Sequence, residues 1–106
     1  MPVQPPLEVT VRRGAAGIVV TFDGELDIAG DADARRALAP LADQPRKVVL
    51  DLTGLSFCDL PGMRTIVEFT RTAAARGVDV ELRGAGGQVG RLLRLTHARG
   101  VLPLGE

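Results

Sequence analysis

The sequence predicts an α/β fold in which helices pack on a mixed β-sheet. The segments Leu7–Arg12 and Val78–Arg83 alternate apolar and polar side chains, which is the period of a half-buried strand. A third segment, Arg46–Leu52, is more continuously apolar and leads into the longest helical pattern of the chain. Because strands and helices alternate after an initial hairpin, we expect parallel crossovers together with one antiparallel strand.

The first half of the chain predicts a hairpin followed by a helix. The turn Gly14–Gly17 separates the first strand from a second strand at Ile18–Phe22. A helical pattern then runs over Ala32–Leu41. Asp31 precedes it and is expected to accept hydrogen bonds from the free N–H groups at its start.

The second half predicts two further helices. The longer one covers Asp59–Arg76, with Pro61 at its first position, where a missing N–H costs nothing, and Leu60 as the cap. After the fourth strand, the link Gly84–Gly87 leads to a short amphipathic helix over Val89–Thr96. The predicted order is ββαβαβα, and a short last strand is left open.

Composition and charge exclude several classes of function. A chain of 106 residues suits a single domain. Its 13 basic and 13 acidic residues cancel, so no global field attracts nucleic acid, and we predict no nucleic-acid partner. The single cysteine forms neither an internal disulfide nor a cysteine-based metal site, and we predict no cofactor. Without a signal-peptide pattern or a membrane-length apolar run, the protein is predicted to be cytoplasmic, with no membrane insertion.

Several stretches together resemble the STAS domain, and more narrowly the bacterial anti-sigma factor antagonists. Three of them are Phe22–Asp27, the strand and turn Val48–Phe57, and Asp59–Gly62. The tail, from Leu92–Thr96 through Val101–Leu104, also resembles the last helix and strand of that family. The similarity in order and spacing covers nearly the whole chain.

The resemblance implies one STAS-like domain at residues 7–106, behind a flexible leader at residues 1–6. It also implies a regulator of transcription that acts by partner switching. Members of the family bind an anti-sigma factor or related serine kinase around the helix that follows the central strand, and this releases the sigma factor. The kinase phosphorylates a Ser or Thr at that helix N-terminus, where free N–H groups and the helix dipole accommodate a phosphate.

This sequence departs from the family pattern at the phosphorylated position. Where the family has Asp, Ser, Ser or Thr, and Gly, the run here is Asp59, Leu60, Pro61 and Gly62. The family hydroxyl aligns with Pro61, which has no hydroxyl, so we expect no phosphorylation there. Thr65, in the first turns of the same helix, is the secondary candidate for a compensating phosphosite.

The expected partner-binding residues surround the start of that helix. They are Asp27, Asp59, Leu60, Pro61, Gly62, Met63 and Arg64. Leu60 and Met63 are expected to expose two apolar side chains at the helix tip. Asp27 and Asp59 each have two interpretations, a cap carboxylate or a partner contact, and the sequence leaves both open.

Cys58 raises the alternative of a small nucleotide-binding or Cys58-dependent enzyme. A nucleophilic thiol needs a base within hydrogen-bond reach, and the only histidine, His97, falls at the fraying end of the last helix. Cys58 is therefore predicted to be a buried apolar side chain in a non-catalytic protein.

Two binding alternatives remain, which are the STAS subunit of a lipid-transport ATPase and a homodimer formed through the exposed helix tip.

Overall fold

The computed structural model describes residues 6–44 and 46–96. Their elements follow the order β1 (Glu8–Gly14), β2 (Gly17–Leu26), α1 (Ile28–Leu38), a 3₁₀ turn (Ala39–Asp43), β3 (Val48–Cys58), α2 (Leu60–Ala75), β4 (Val80–Arg83) and α3 (Gly87–Thr96). Three predictions lie outside the described residues, namely the last strand at Val101–Leu104, the position of His97 and the leader up to residue 5.

The strands form one mixed sheet with the order β1-β2-β3-β4. β1 pairs antiparallel with β2 across a tight turn, while β2 with β3 and β3 with β4 pair in parallel. This confirms the predicted α/β fold with an initial hairpin and parallel crossovers. Within residues 6–44 and 46–96, no helix has the length and apolar character needed to cross a membrane.

The core lies between the helices and one face of the sheet, because alternate residues of each strand point to opposite faces. The strands contribute Ile18, Val20, Phe22, Val48, Leu50, Leu52, Val80 and Leu82. The helices contribute Ala34, Leu38, Met63, Ile66, Phe69, Ala73, Val89 and Leu93. The core is mainly aliphatic, as expected for a chain with only three aromatic residues.

β3 continues to Cys58, well beyond its predicted end at Leu52. The polar residues that suggested a turn pair instead with the second half of β2, so that Asp23 lies opposite Gly54 and Leu26 opposite Cys58. Two register shifts in β2 and β3 keep the strands paired along this stretch. The end of β2 is thereby brought next to the start of α2.

α1 begins earlier than predicted because Asp27, and not Asp31, caps it. The Asp27 carboxylate accepts hydrogen bonds from the backbone N–H groups of Ala29 (3.0 Å) and Gly30 (3.1 Å). Asp31 lies inside the first turn, where a negative charge suits the helix dipole. Either aspartate could cap a helix as far as the sequence shows. Because β2 runs as far as Leu26, Asp27 is the first residue after the strand and α1 begins directly after it.

α2 starts in close contact with the end of β2. The N–H of Asp59 donates a hydrogen bond to the carbonyl oxygen of Leu26 (3.1 Å). Gly62, in the first turn of α2, lies so near that a Cβ atom there would stand 2.6 Å from the same oxygen and 2.8 Å from Leu26 Cγ. Since no real Cβ contact is that short, any side chain at this position forces the helix or the strand to move.

We predict that Gly62→Ala lowers the free energy of unfolding by about 1–3 kcal/mol, because overpacking a close contact costs that order of energy. The matched control is Gly86→Ala, since a Cβ at Gly86 meets nothing within 4 Å. Urea unfolding followed by circular dichroism measures both. Equal stability of the two variants would contradict the close contact.

Candidate functional site

The start of α2 is capped by Asp59. Asp59 has extended backbone angles, and its carboxylate accepts a hydrogen bond from the N–H of Gly62 at 2.8 Å. Leu60 and Pro61 are therefore the first and second helical residues. The predicted cap at Leu60 was wrong by one residue, because a proline fits the second position too, where the helix also has no use for the N–H.

Two large apolar side chains are exposed on either side of this junction. Phe57, at the end of β3, is 41% exposed, and Leu60, at the start of α2, is 42% exposed. Pro61 and Arg64 are exposed as well. We call Phe57, Leu60, Pro61 and Arg64 the tip surface.

Met63 and Gly62 do not belong to the exposed surface. Met63 is 0% exposed and packs in the core, so the prediction of an exposed Met63 was wrong. Met63 shares its helix face with Ile66 and Val67, which spacing of three and four residues brings together. Phe57 takes its place as the second exposed apolar residue, which the sequence analysis missed. Strand alternation with the buried Cys58 is the signal that could have found it.

Asp27 and Asp59 lie at the same edge of the sheet. Asp27 follows Leu26 and Asp59 follows Cys58, and these two preceding residues are paired across β2 and β3. The N-termini of α1 and α2 consequently stand side by side at the carboxyl ends of the parallel strands. The carboxylate of Asp27 caps α1, and that of Asp59 caps α2. The structure thus supports the cap interpretation of both aspartates and keeps them beside the tip surface.

Comparison with known proteins identifies the family of this fold. A model of the STAS domain matches residues 6–106. The chain belongs to the STAS domain family. This confirms the family expected from the sequence.

Relatives of this STAS domain are found among anti-sigma factor antagonists. It is 26% identical to the anti-sigma-F factor antagonist RsfA of Mycobacterium tuberculosis, over 97% of this chain and 83% of that protein. An anti-sigma factor antagonist from Mycobacterium paratuberculosis has the same fold, with a TM-score of 0.82 at 19% identity over 96% of this chain and 89% of that one. The Bacillus cell fate determinant SpoIIAA, in its phosphorylated form, matches with a TM-score of 0.69 at 15% identity over 94% and 91% of the two chains.

Thr65 of this STAS domain is not an exposed hydroxyl, contrary to what its candidacy as a phosphosite requires. It is 3% exposed, and its hydroxyl donates to the carboxylate of Asp31 on α1 and lies 3.3 Å from the carbonyl oxygen of Pro61. Burial acts to raise the pKa of Asp31, but the Thr65 hydrogen bond and the Arg35 guanidinium outweigh it, so that pKa is lowered. Thr65 therefore joins α1 to α2.

Cys58 of this STAS domain lies in the core, and its backbone N–H and C=O groups both form hydrogen bonds with one side chain of α3. Gln88 on α3 donates its side-chain amide to the Cys58 carbonyl oxygen (2.8 Å) and accepts from the Cys58 N–H (3.4 Å). Burial, and secondarily the charge of Asp59, raises the pKa of the Cys58 thiol to about 12. In the described part of the chain, no group of three or more histidine, cysteine or acidic side chains could hold a metal ion.

Two surface hollows lie among the described residues, and Cys58 lines neither of them. One, of about 390 Å³, lies between α1 and α2 over Leu38 and Phe69. Another, of about 460 Å³, lies beside the β1–β2 turn and is lined by Arg12 and Lys47 among others.

We predict that Cys58 in the native protein reacts with iodoacetamide at pH 8 roughly a hundredfold or more slowly than in the urea-unfolded chain, because only the thiolate is nucleophilic. Mass spectrometry over time measures the modified fraction, and the single cysteine makes the product unambiguous. Similar rates in the native and unfolded chains would contradict the buried, high-pKa thiol.

Proposed function

We propose that this STAS domain is a non-catalytic, cytoplasmic regulator that binds an anti-sigma factor, or a related serine kinase, through the tip surface. The observation that carries the proposal is the exposure of Phe57 and Leu60 on either side of the β3–α2 junction. The third large apolar side chain exposed in the described residues, Val11, lies apart in β1. The similarity to an anti-sigma-F factor antagonist over nearly the whole chain supports the same class of partner.

The tip surface is suited to binding because it is apolar and already ordered. Phe57 is 41% and Leu60 is 42% exposed, so removing these exposed fractions from water on binding contributes roughly 1 kcal/mol each. The Asp59 cap and the close contact of Gly62 with Leu26 hold the first turn of α2 in one conformation. Little conformational entropy is then lost when a partner docks.

Three charged side chains, those of Arg64, Asp27 and Asp59, lie at or beside the tip surface and can bind charged or polar groups of a partner. Arg64 is exposed one turn after Leu60 and makes no ion pair with any residue that the structure describes, so it is free to meet a carboxylate of the partner. Asp27 and Asp59 accept backbone hydrogen bonds, and each carboxylate keeps lone pairs for a partner donor. Gly62 and Met63 act from beneath by fixing α2 on the sheet.

We further propose that this regulator has no phosphorylation switch at the family position. Pro61 carries no hydroxyl, and as the second helical residue it removes one N–H from the helix start. The N–H of Gly62 is already bonded to the Asp59 carboxylate. Phosphate binding at a helix N-terminus depends on free N–H groups, so Pro61 removes both the acceptor hydroxyl and one of these groups. The protein would stay in its binding form whatever the kinase does.

We predict that Leu60→Ala raises the dissociation constant for the anti-sigma factor by about tenfold or more, since truncating a central apolar contact costs that much. Arg64→Ala should weaken binding severalfold. The control is Arg71→Ala, because Arg71 is an exposed arginine on the same face two turns along α2. Calorimetric titration with the anti-sigma factor of the same organism measures all three variants.

Unfolding temperatures of the three variants should stay close to that of the native protein, because the changed side chains are exposed. Binding of Leu60→Ala as tight as that of the native protein would contradict docking through the tip surface.

We predict that the native protein stays unphosphorylated when incubated with an anti-sigma factor kinase and ATP, while Pro61→Ser becomes a substrate. The serine restores a hydroxyl at the helix start without breaking the helix, since serine is tolerated there. Intact-mass spectrometry counts the phosphates, and Pro61→Ala is the matched control without a hydroxyl. Stoichiometric phosphate on the native chain would contradict a binding form that the kinase leaves unchanged. A Pro61→Ser variant that binds the kinase but is never phosphorylated would contradict the missing hydroxyl as the reason for the lost switch.

A further inference from the structure

We propose that two copies of this chain pair along β1, antiparallel about a two-fold axis at Thr10, so that their sheets join into one continuous sheet. The partner at this edge is therefore a second copy of the same chain. The proposal concerns a surface away from the tip surface and does not depend on the function proposed above.

β1 is an edge strand of the sheet. Among the described residues it pairs only with β2, and its other side faces no strand. Neighbouring residues of an antiparallel strand direct their backbone N–H and C=O groups to opposite sides. Alternate residues of β1 therefore offer a row of hydrogen-bonding groups that no described strand pairs with, which is a template for another strand.

The apolar side chains of β1 are incompletely covered by their own chain. Val9 and Val11 lie opposite Phe22 and Val20, so they point to the face of the sheet that carries the helices. Val9 is only half-buried, and Val11 is 36% exposed. In the proposed dimer, Val9 of each copy faces Val11 of the partner subunit, and these two pairs cover the exposed apolar surface.

The charges of β1 are complementary in the same register. Glu8 and Arg12 flank Thr10 at equal distances, and both point to the face without helices. Neither forms an ion pair with a described residue of its own chain. With Thr10 on the axis, Glu8 faces Arg12 of the partner subunit and Arg12 faces Glu8 of the partner subunit. A two-fold axis makes each such contact twice.

Shifting the register removes this match. A slip that moves the axis to Val9 or to Val11 leaves Glu8 and Arg12 opposite uncharged residues or beyond the paired stretch. With the axis at Thr10, residues of the same face meet, so the helices of both copies lie on one side of the joined sheet. The tip surface belongs to β3 and α2, and β2 separates it from β1, so both tips stay accessible.

The test measures self-association by sedimentation velocity at concentrations up to about 0.5 mM. A single edge-to-edge strand contact buries less than the roughly 1,200 Å² of a stable interface, so the dissociation constant should be micromolar or weaker. Glu8→Arg and Arg12→Glu each place like charges opposite one another twice. Each is expected to raise the dissociation constant roughly tenfold or more.

The decisive experiment measures self-association when both charge changes are present together. An equimolar mixture of Glu8→Arg and Arg12→Glu chains restores opposite charges in every pair, and so does the double variant Glu8→Arg/Arg12→Glu. Both should dimerise like the native chain, which loss of folding could not produce. Arg71→Glu, an equal charge change on α2, should leave the dimer intact.

Two results would overturn the proposal. One is a native chain that stays monomeric throughout the concentration range. The other is a dimer that ignores both single variants or that is lost on Leu60→Asp, since it would then form through the tip surface. Hydrogen exchange adds a local readout, because amide protection in β1 should rise with protein concentration while protection around Phe57 does not.

Discussion

The contact between Gly62 and Leu26 determines how the site of this protein is built. It brings the first turn of α2 against the end of β2 at a distance that excludes a Cβ atom. The hydrogen bond from the Asp59 N–H to the Leu26 carbonyl oxygen holds the residue before α2 against the same end of β2. Because both depend on β2 and β3 remaining paired as far as Leu26 and Cys58, the long irregular end of the sheet is what places the helix.

The start of α2 has few backbone N–H groups left to bind an anion. Its cap carboxylate, Asp59, occupies the N–H of Gly62, and Pro61 contributes no N–H of its own. The first turn of α2 therefore offers an anion fewer free N–H groups than an ordinary helix start does. The tip surface instead exposes two large apolar side chains, Phe57 and Leu60, beside the charged Arg64, and we propose that this combination serves docking of a protein.

Much of the fold follows from the sequence, and the errors have physical causes. The alternation of β1 and β4 and the spacing along α2 were sufficient to predict the mixed sheet and its helices. Local pattern could not choose between Asp27 and Asp31 as a cap, because the choice depends on where β2 ends. The helical spacing of Met63 with Ile66 already indicated a buried side chain. The burial of Thr65 had no local signal, since it depends on the packing of α1 against α2.

We propose that the ordered start of α2 is a protein-docking surface that works without phosphate control. Nuclear magnetic resonance tests it most directly, through amide chemical shifts of the labelled chain during titration with the anti-sigma factor of the same organism. The account predicts that the largest changes fall between Phe57 and Arg64 and are the same after incubation with kinase and ATP. Changes concentrated on another face, with the amides of this stretch unmoved, would contradict it.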